Sequence, residues 1–166
     1  MLRKFWTINA LFALLIAITN CGDDDNPVDS NHDEEHAEAV GLIIRNSGTE
    51  IVRYENGAVA GVIEVGHEKE TALLTVRFIA EDGDLFVPDA DDNFALAWEI
   101  ADEAIAEVEQ HEEDGLWSFH ILGLEEGETN LVLKLNHNDH ADFVSPGIEI
   151  HVEEGGPGEE HDHDEG

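Results

Sequence analysis

Apolar residues recur at every second position through much of this 166-residue chain. Leu74, Val76 and Phe78 alternate with Thr75 and Arg77. Trp117, Phe119 and Ile121 alternate with Ser118 and His120. Leu131, Leu133 and Leu135 follow the same rule, as do Phe94, Leu96, Trp98 and Ile100, and Ile148, Ile150 and Val152. Successive side chains of an extended chain point to opposite faces, so this pattern gives each run one apolar face and one polar face. Strands of that kind build antiparallel sheets that bury a single side. About seven of them, separated by frequent turns, make a β-sandwich.

The turn signals agree with this reading. Leu42 to Arg45 is followed by Asn46-Ser47-Gly48, then by the run Glu50 to Glu55, then by Asn56-Gly57 and the run Ala58 to Val65. Asn-Gly between two β-prone runs marks a tight hairpin, because both residues tolerate positive φ. Residues 101–110 (ADEAIAEVEQ) are ambiguous by periodicity: Ala101, Ala104, Ile105 and Val108 have helical spacing in good helix formers.

Trp98-Glu99-Ile100-Ala101-Asp102-Glu103-Ala104-Ile105-Ala106-Glu107-Val108, the later Gly115, and Gly123-Leu124-Glu125-Glu126-Gly127-Glu128-Thr129 resemble the second half of bacterial immunoglobulin-like domains. In that family a Trp precedes a polar turn, an Ile-Ala-x-Val strand and a Gly-x-x-x-Gly-x-Thr turn. The likeness runs over about residues 62–152. It implies a strand, not a helix, at Ile105 to Val108. The expected fold is therefore all-β: an antiparallel, immunoglobulin-like β-sandwich over residues 40–153, with an extra N-terminal hairpin and disordered termini. The family favours serines where this chain has acids.

Ahead of the sandwich, Arg3 and Lys4 precede an apolar run from Ala10 to Ile18, and Cys21 follows. This is a secretory signal pattern over residues 1–20, and the run is too short for a permanent membrane span of about 20 residues. With its cysteine it resembles a bacterial lipoprotein signal, in which Cys21 is lipidated. Ile18 and Asn20 stand where that motif has Leu and a small residue. The run Gly22-Asp23-Asp24-Asp25 resembles the surface-export signal of Bacteroidota lipoproteins. The resemblance implies an outer-membrane lipoprotein exposed at the cell surface, held to the membrane by its lipid. Residues 21–39 then form an acidic tether, too poor in apolar residues to offset the cost of ordering. Residues 154–166 form an acidic, histidine-containing disordered tail.

Charge narrows the partners. The chain holds 40 acids against seven Lys and Arg, a formal net charge of −33. Nucleic acid and anionic lipid headgroups, which need cations, are disfavoured. Twenty-five of the acids lie between Val40 and Val152, against five bases. Such a surface suits cation attraction or solvation in a salty medium. Ten histidines favour the cation. Once Cys21 is acylated no thiol remains, and only His, Asp and Glu are left as ligands.

Residues 135–143 read Leu-Asn-His-Asn-Asp-His-Ala-Asp-Phe, a polar stretch between apolar runs. Imidazole and carboxylate are the ligands zinc takes when thiolate is absent, three or four at a time. Strands in immunoglobulin order would gather the loops 81–93, 110–115 and 137–147 at one end. His111 would then meet His137 and His140, with Asp139 and Asp142 among the carboxylates near them. These five residues are the expected Zn2+ site; a solvated polar loop is the plain alternative.

Asp89-x-Asp91-x-Asn93 matches the first half of a calcium loop, but Phe94 replaces the glycine and Ile100 the glutamate of the second half, so Ca2+ is the competing ion. His161 and His163 are expected to give weak, exchangeable capture in the tail. His32 and His36 belong to the tether, His67 to the opposite end, and His120 and His151 to outward strand faces.

No His-Glu-x-x-His, Gly-x-Ser-x-Gly or Gly-x-x-x-x-Gly-Lys motif is present, and the four serines have no nucleophile context, so an enzyme is not expected. Two functions remain. One is capture of a divalent transition metal, zinc first, with delivery to an outer-membrane transporter as its extension. The other is a structural or adhesive surface module whose acidity serves solubility in salt.

Overall fold

The computed structural model describes residues 38–89, 93–111 and 113–160. The expected signal peptide, Cys21, the expected tether up to residue 37, Asp91, Asp92, Glu112, His161 and His163 lie outside them, and Ala39, expected to end the tether, opens the first strand. Among the described residues the chain is all strand and turn. In order the strands are β1 (Ala39–Asn46), β2 (Thr49–Glu55), β3 (Ala58–Gly61), β4 (Ile63–Gly66), β5 (Lys69–Glu70), β6 (Leu74–Ala80) and β7 (Leu85–Phe86). They continue as β8 (Phe94–Ile100), β9 (Ala106–Glu109), β10 (Ser118–Gly123), β11 (Gly127–His137), β12 (His140–Val144), β13 (Ile148–Glu153) and β14 (Glu159–Glu160).

Two sheets form. One runs β14-β5-β10-β6-β1-β2-β3, with β7 on β6 and β9 on β10. The other runs β12-β11-β13-β4, with β8 on β11. All pairings are antiparallel except β13 with β4. Alternation decides what is buried: Leu42 and Ile44, Leu74, Val76 and Phe78, Phe119 and Ile121 come from the first sheet, and Leu131, Leu133 and Leu135, Ile148, Ile150 and Val152 from the second. They share one core, as the sequence pattern requires. Residues 106–109 are a strand, so tertiary pairing overrides the helix propensity of that segment.

The N-terminal hairpin turns at Ser47-Gly48 and again at Asn56-Gly57, each with two consecutive positive φ values. It is no appendage: β1 lies inside its sheet, bonded to β6 on one side and β2 on the other. The run expected as one strand, Ala58 to Val65, is two. β3 closes the first sheet, and β4 joins the second. Gly61 stands at the crossing with φ 94°, and a Cβ there would fall 1.9 Å from the Ile51 carbonyl oxygen, so only glycine fits.

The C-terminal boundary also differs from expectation. Residues 154–160, assigned by sequence to a disordered tail, fold back on β4 and β5. The Gly66 N–H donates to the Pro157 carbonyl at 2.7 Å, Lys69 Nζ donates to the Gly156 carbonyl at 3.2 Å, and β14 pairs with β5. Backbone bonds and one lysine make this contact without an apolar pattern.

Candidate metal centre

The centre grows out of the core itself. On β11 the inward row Leu131, Leu133, Leu135 ends in His137, which is buried at the strand's last position. β8 pairs with β11 along one edge, setting Phe94 opposite His137, and their rings stack with centroids 4.3 Å apart and planes 23° apart. On the other edge β12 returns after only Asn138-Asp139, with Asn138 at φ 51°, and places His140 opposite His137. The stretch read from sequence as a loop is therefore a tight hairpin.

The register between β11 and β12 shifts once. Asn136 faces Ala141 and Leu135 faces Phe143, which leaves Asp142 as the extra residue of a β-bulge. In a regular ladder Asp142 would face Leu135 and Phe143 would face Lys134, putting a carboxylate toward the core and an aromatic toward water. The bulge sets Phe143 opposite Leu135 and leaves the Asp142 carboxylate beside the two histidines. Phe143 points inward, 5.8 Å from the Phe78 ring and 6.0 Å from that of Tyr54, and so ties the hairpin to the opposite sheet. The Asp142 carboxylate, its side chain only 3% exposed, lies 2.9 Å from His140 Nε2 through Oδ1 and 3.6 Å from His137 Nδ1 through Oδ2.

One ligand atom from each of His137, His140 and Asp142 lies within 4.8 Å of the other two. His140 is exposed, so the group opens to solvent on that side. Two imidazoles and a carboxylate with an open position form a donor set that zinc accepts. Asp139 sits exposed at the turn, and the group forms without it.

His111 is not brought to this group. It joins Glu70 and His120 on the first sheet, its Nε2 3.8 Å from Glu70 Oε1 and its ring 5.5 Å from that of His120. The reason is topological: β9 pairs with β10 in one sheet, whereas the β11–β12 hairpin belongs to the other. The expectation of three imidazoles around one ion thus gives way to two separate clusters. His120, expected on an outward face, is half-buried between carboxylates, with Nδ1 3.0 Å from Glu70 Oε1 and Nε2 3.3 Å from Asp114 Oδ2. Sequence alternation puts His120 opposite to the core side, but it cannot reveal that β5 lays Glu70 beside it.

His151, also expected on an outward face, is partly exposed there, 3.1 Å from Glu149 and 3.9 Å from Glu128. Its hydrogen bond to Glu149 holds its pKa above the ordinary 6.5; burial, the next largest influence, opposes the rise, and the charges of Glu149, Glu128 and Glu153 add to it. Of the calcium half-motif, Asp89 and Asn93 are described, and Asn93 adopts φ 60° ahead of β8.

No known protein family matches the chain, and no curated protein matches it. Among solved structures it is similar to domains 4 and 5 of the S-layer protein SbsC, with 14% identity and a TM-score of 0.39 over 56% of this chain. The match spans about half of that chain, 47% of its length.

Proposed function

We propose that this chain is an anchored β-sandwich module of the bacterial cell surface that holds a divalent transition metal, zinc first, at His137, His140 and Asp142. The observation that carries the reading is the bulge at Asp142, which turns a carboxylate onto two histidines at the solvent end of a core row. The excess of acids over bases raises the local concentration of cations at such a site. The signal-like leader and Cys21 support lipid anchoring, and delivery of the ion to an outer-membrane transporter is the extension of this proposal.

Titration calorimetry of the chain with Zn2+, Ni2+, Cu2+ and Ca2+ is the test. Zinc binding in the micromolar range or tighter at the hairpin, with one ion per chain lost in the His137→Ala, His140→Ala double variant and none lost from that site when His161 and His163 are replaced by alanine, is the expected result. Neutral imidazole is needed to ligate, so affinity falls as the medium is acidified. Binding that disappears only with the tail histidines would overturn the assignment.

A structural or adhesive module is the second reading. It is favoured by the 2.9 Å contact between His140 and Asp142, which holds these groups together without a metal. Zinc-independent stability and the absence of calorimetric heat would select it.

A further inference from the structure

We infer that Glu70, His111 and His120 form a second metal site, on the opposite sheet and independent of the hairpin. Its parts come from three places in the chain. Glu70 ends β5, His120 lies in β10, and His111 belongs to the connection between β9 and β10. One ligand atom from each lies within 4.8 Å of the other two.

The surroundings hold these side chains in place. The His120 Nδ1–H donates to the Thr71 carbonyl at 2.8 Å, a backbone anchor of the kind that orients a ligating histidine. Thr71 is itself fixed, its N–H donating to the Ile121 carbonyl and its Oγ1 accepting from the Ile121 N–H at 3.0 Å. The connection that carries His111 is pinned by Gln110 Nε2, which donates to the Ser118 carbonyl at 2.8 Å. It is also pinned by Asp114, whose Oδ2 accepts from the His111 N–H at 3.2 Å. The same Asp114 oxygen lies 3.3 Å from His120 Nε2.

The His120 ring stands between two carboxylates, Glu70 Oε1 beside Nδ1 and Asp114 Oδ2 beside Nε2, and with Nδ1 turned to the Thr71 carbonyl its Nε2 is the nitrogen left to ligate. His111, nearly half exposed, supplies the second imidazole from the solvent side. Nitrogen and carboxylate donors of this mixture select zinc or its neighbours over calcium, which takes oxygen ligands.

The experiment uses the full chain carrying His137→Ala, His140→Ala, His161→Ala and His163→Ala, titrated with Zn2+. Calorimetry is followed alongside long-range 15N–1H spectra of the imidazoles. One ion is expected to bind, with the His111 and His120 ring nitrogens shifting together. Glu70→Gln and His111→Ala are each expected to weaken binding at least about tenfold. The His111 change sits at an exposed position and leaves the fold intact, which unchanged amide spectra will verify. No binding, or binding that leaves the His111 and His120 rings unmoved, overturns the proposal, as does a His120 ring that responds to pH alone. Because the hairpin ligands are absent from this chain, such a failure leaves the hairpin reading untouched. Conversely, loss of the hairpin site does not bear on this one.

Discussion

His140 Nε2 lies 2.9 Å from Asp142 Oδ1, and Asp142 is the residue at which the register between β11 and β12 shifts. Deleting Asp142 would restore an unbroken ladder while leaving Phe143 opposite Leu135. The deletion variant is expected to fold, with a melting temperature within a few degrees of the parent, and to lose zinc binding at the hairpin. Calorimetry paired with thermal unfolding checks both halves. A variant that fails to fold would mean that the bulge serves packing first.

Phe143 fastens the hairpin to the far sheet through Phe78 and Tyr54. Phe143→Ala is expected to cost about 3–5 kcal/mol of unfolding free energy, the usual range for a buried phenylalanine. Urea denaturation measures it. Zinc affinity should fall in the same variant, since Asp142 is held by the neighbouring position.

The raised pKa of His151 has a sign that can be checked. A basic group whose pKa is higher folded than unfolded contributes stability below its unfolded value, about 6.5, and loses it as pH rises through the folded value. The carboxylate partners are exposed, so the effect is a few tenths of a kcal/mol, up to about 1 kcal/mol. Urea unfolding at pH 5.5 and pH 8.5 should show a decline for the parent chain that Glu149→Gln lacks.

The folded-back C-terminus predicts a local change in exchange. Gly66 N–H donates to the Pro157 carbonyl, and β14 covers the edge of β5. Ending the chain after Glu154 should speed hydrogen exchange at Gly66 markedly while leaving the Leu133 amide, deep in the second sheet, as protected as before.

The core was legible because alternation is a property of single strands: Leu131, Leu133 and Leu135 announce an inward face wherever β11 lies. The turns at Ser47-Gly48 and Asn56-Gly57 were legible because positive φ has a residue signature. The candidate sites were legible only in part. His137 and His140 were found as a pair, but their surroundings were read as a loop, since the bulge at Asp142 breaks the period that would have marked β12. The partners of His111 and His120 were hidden for another reason. Glu70 belongs to a two-residue strand whose position depends on pairings made some fifty positions away in sequence. The Gly-rich segment after Glu153 docks through main-chain groups, which leave no imprint on side-chain pattern.

The placement of β1 bears on how the module would respond to tension. This strand is the first among the described residues, and it is gripped along both edges by β2 and β6. A force drawn through the chain ahead of Glu38, along the strand axis, would meet two ladders strained side by side, with no free margin from which bonds could peel one after another. Tension entering through β1 would thus load both of its neighbours together.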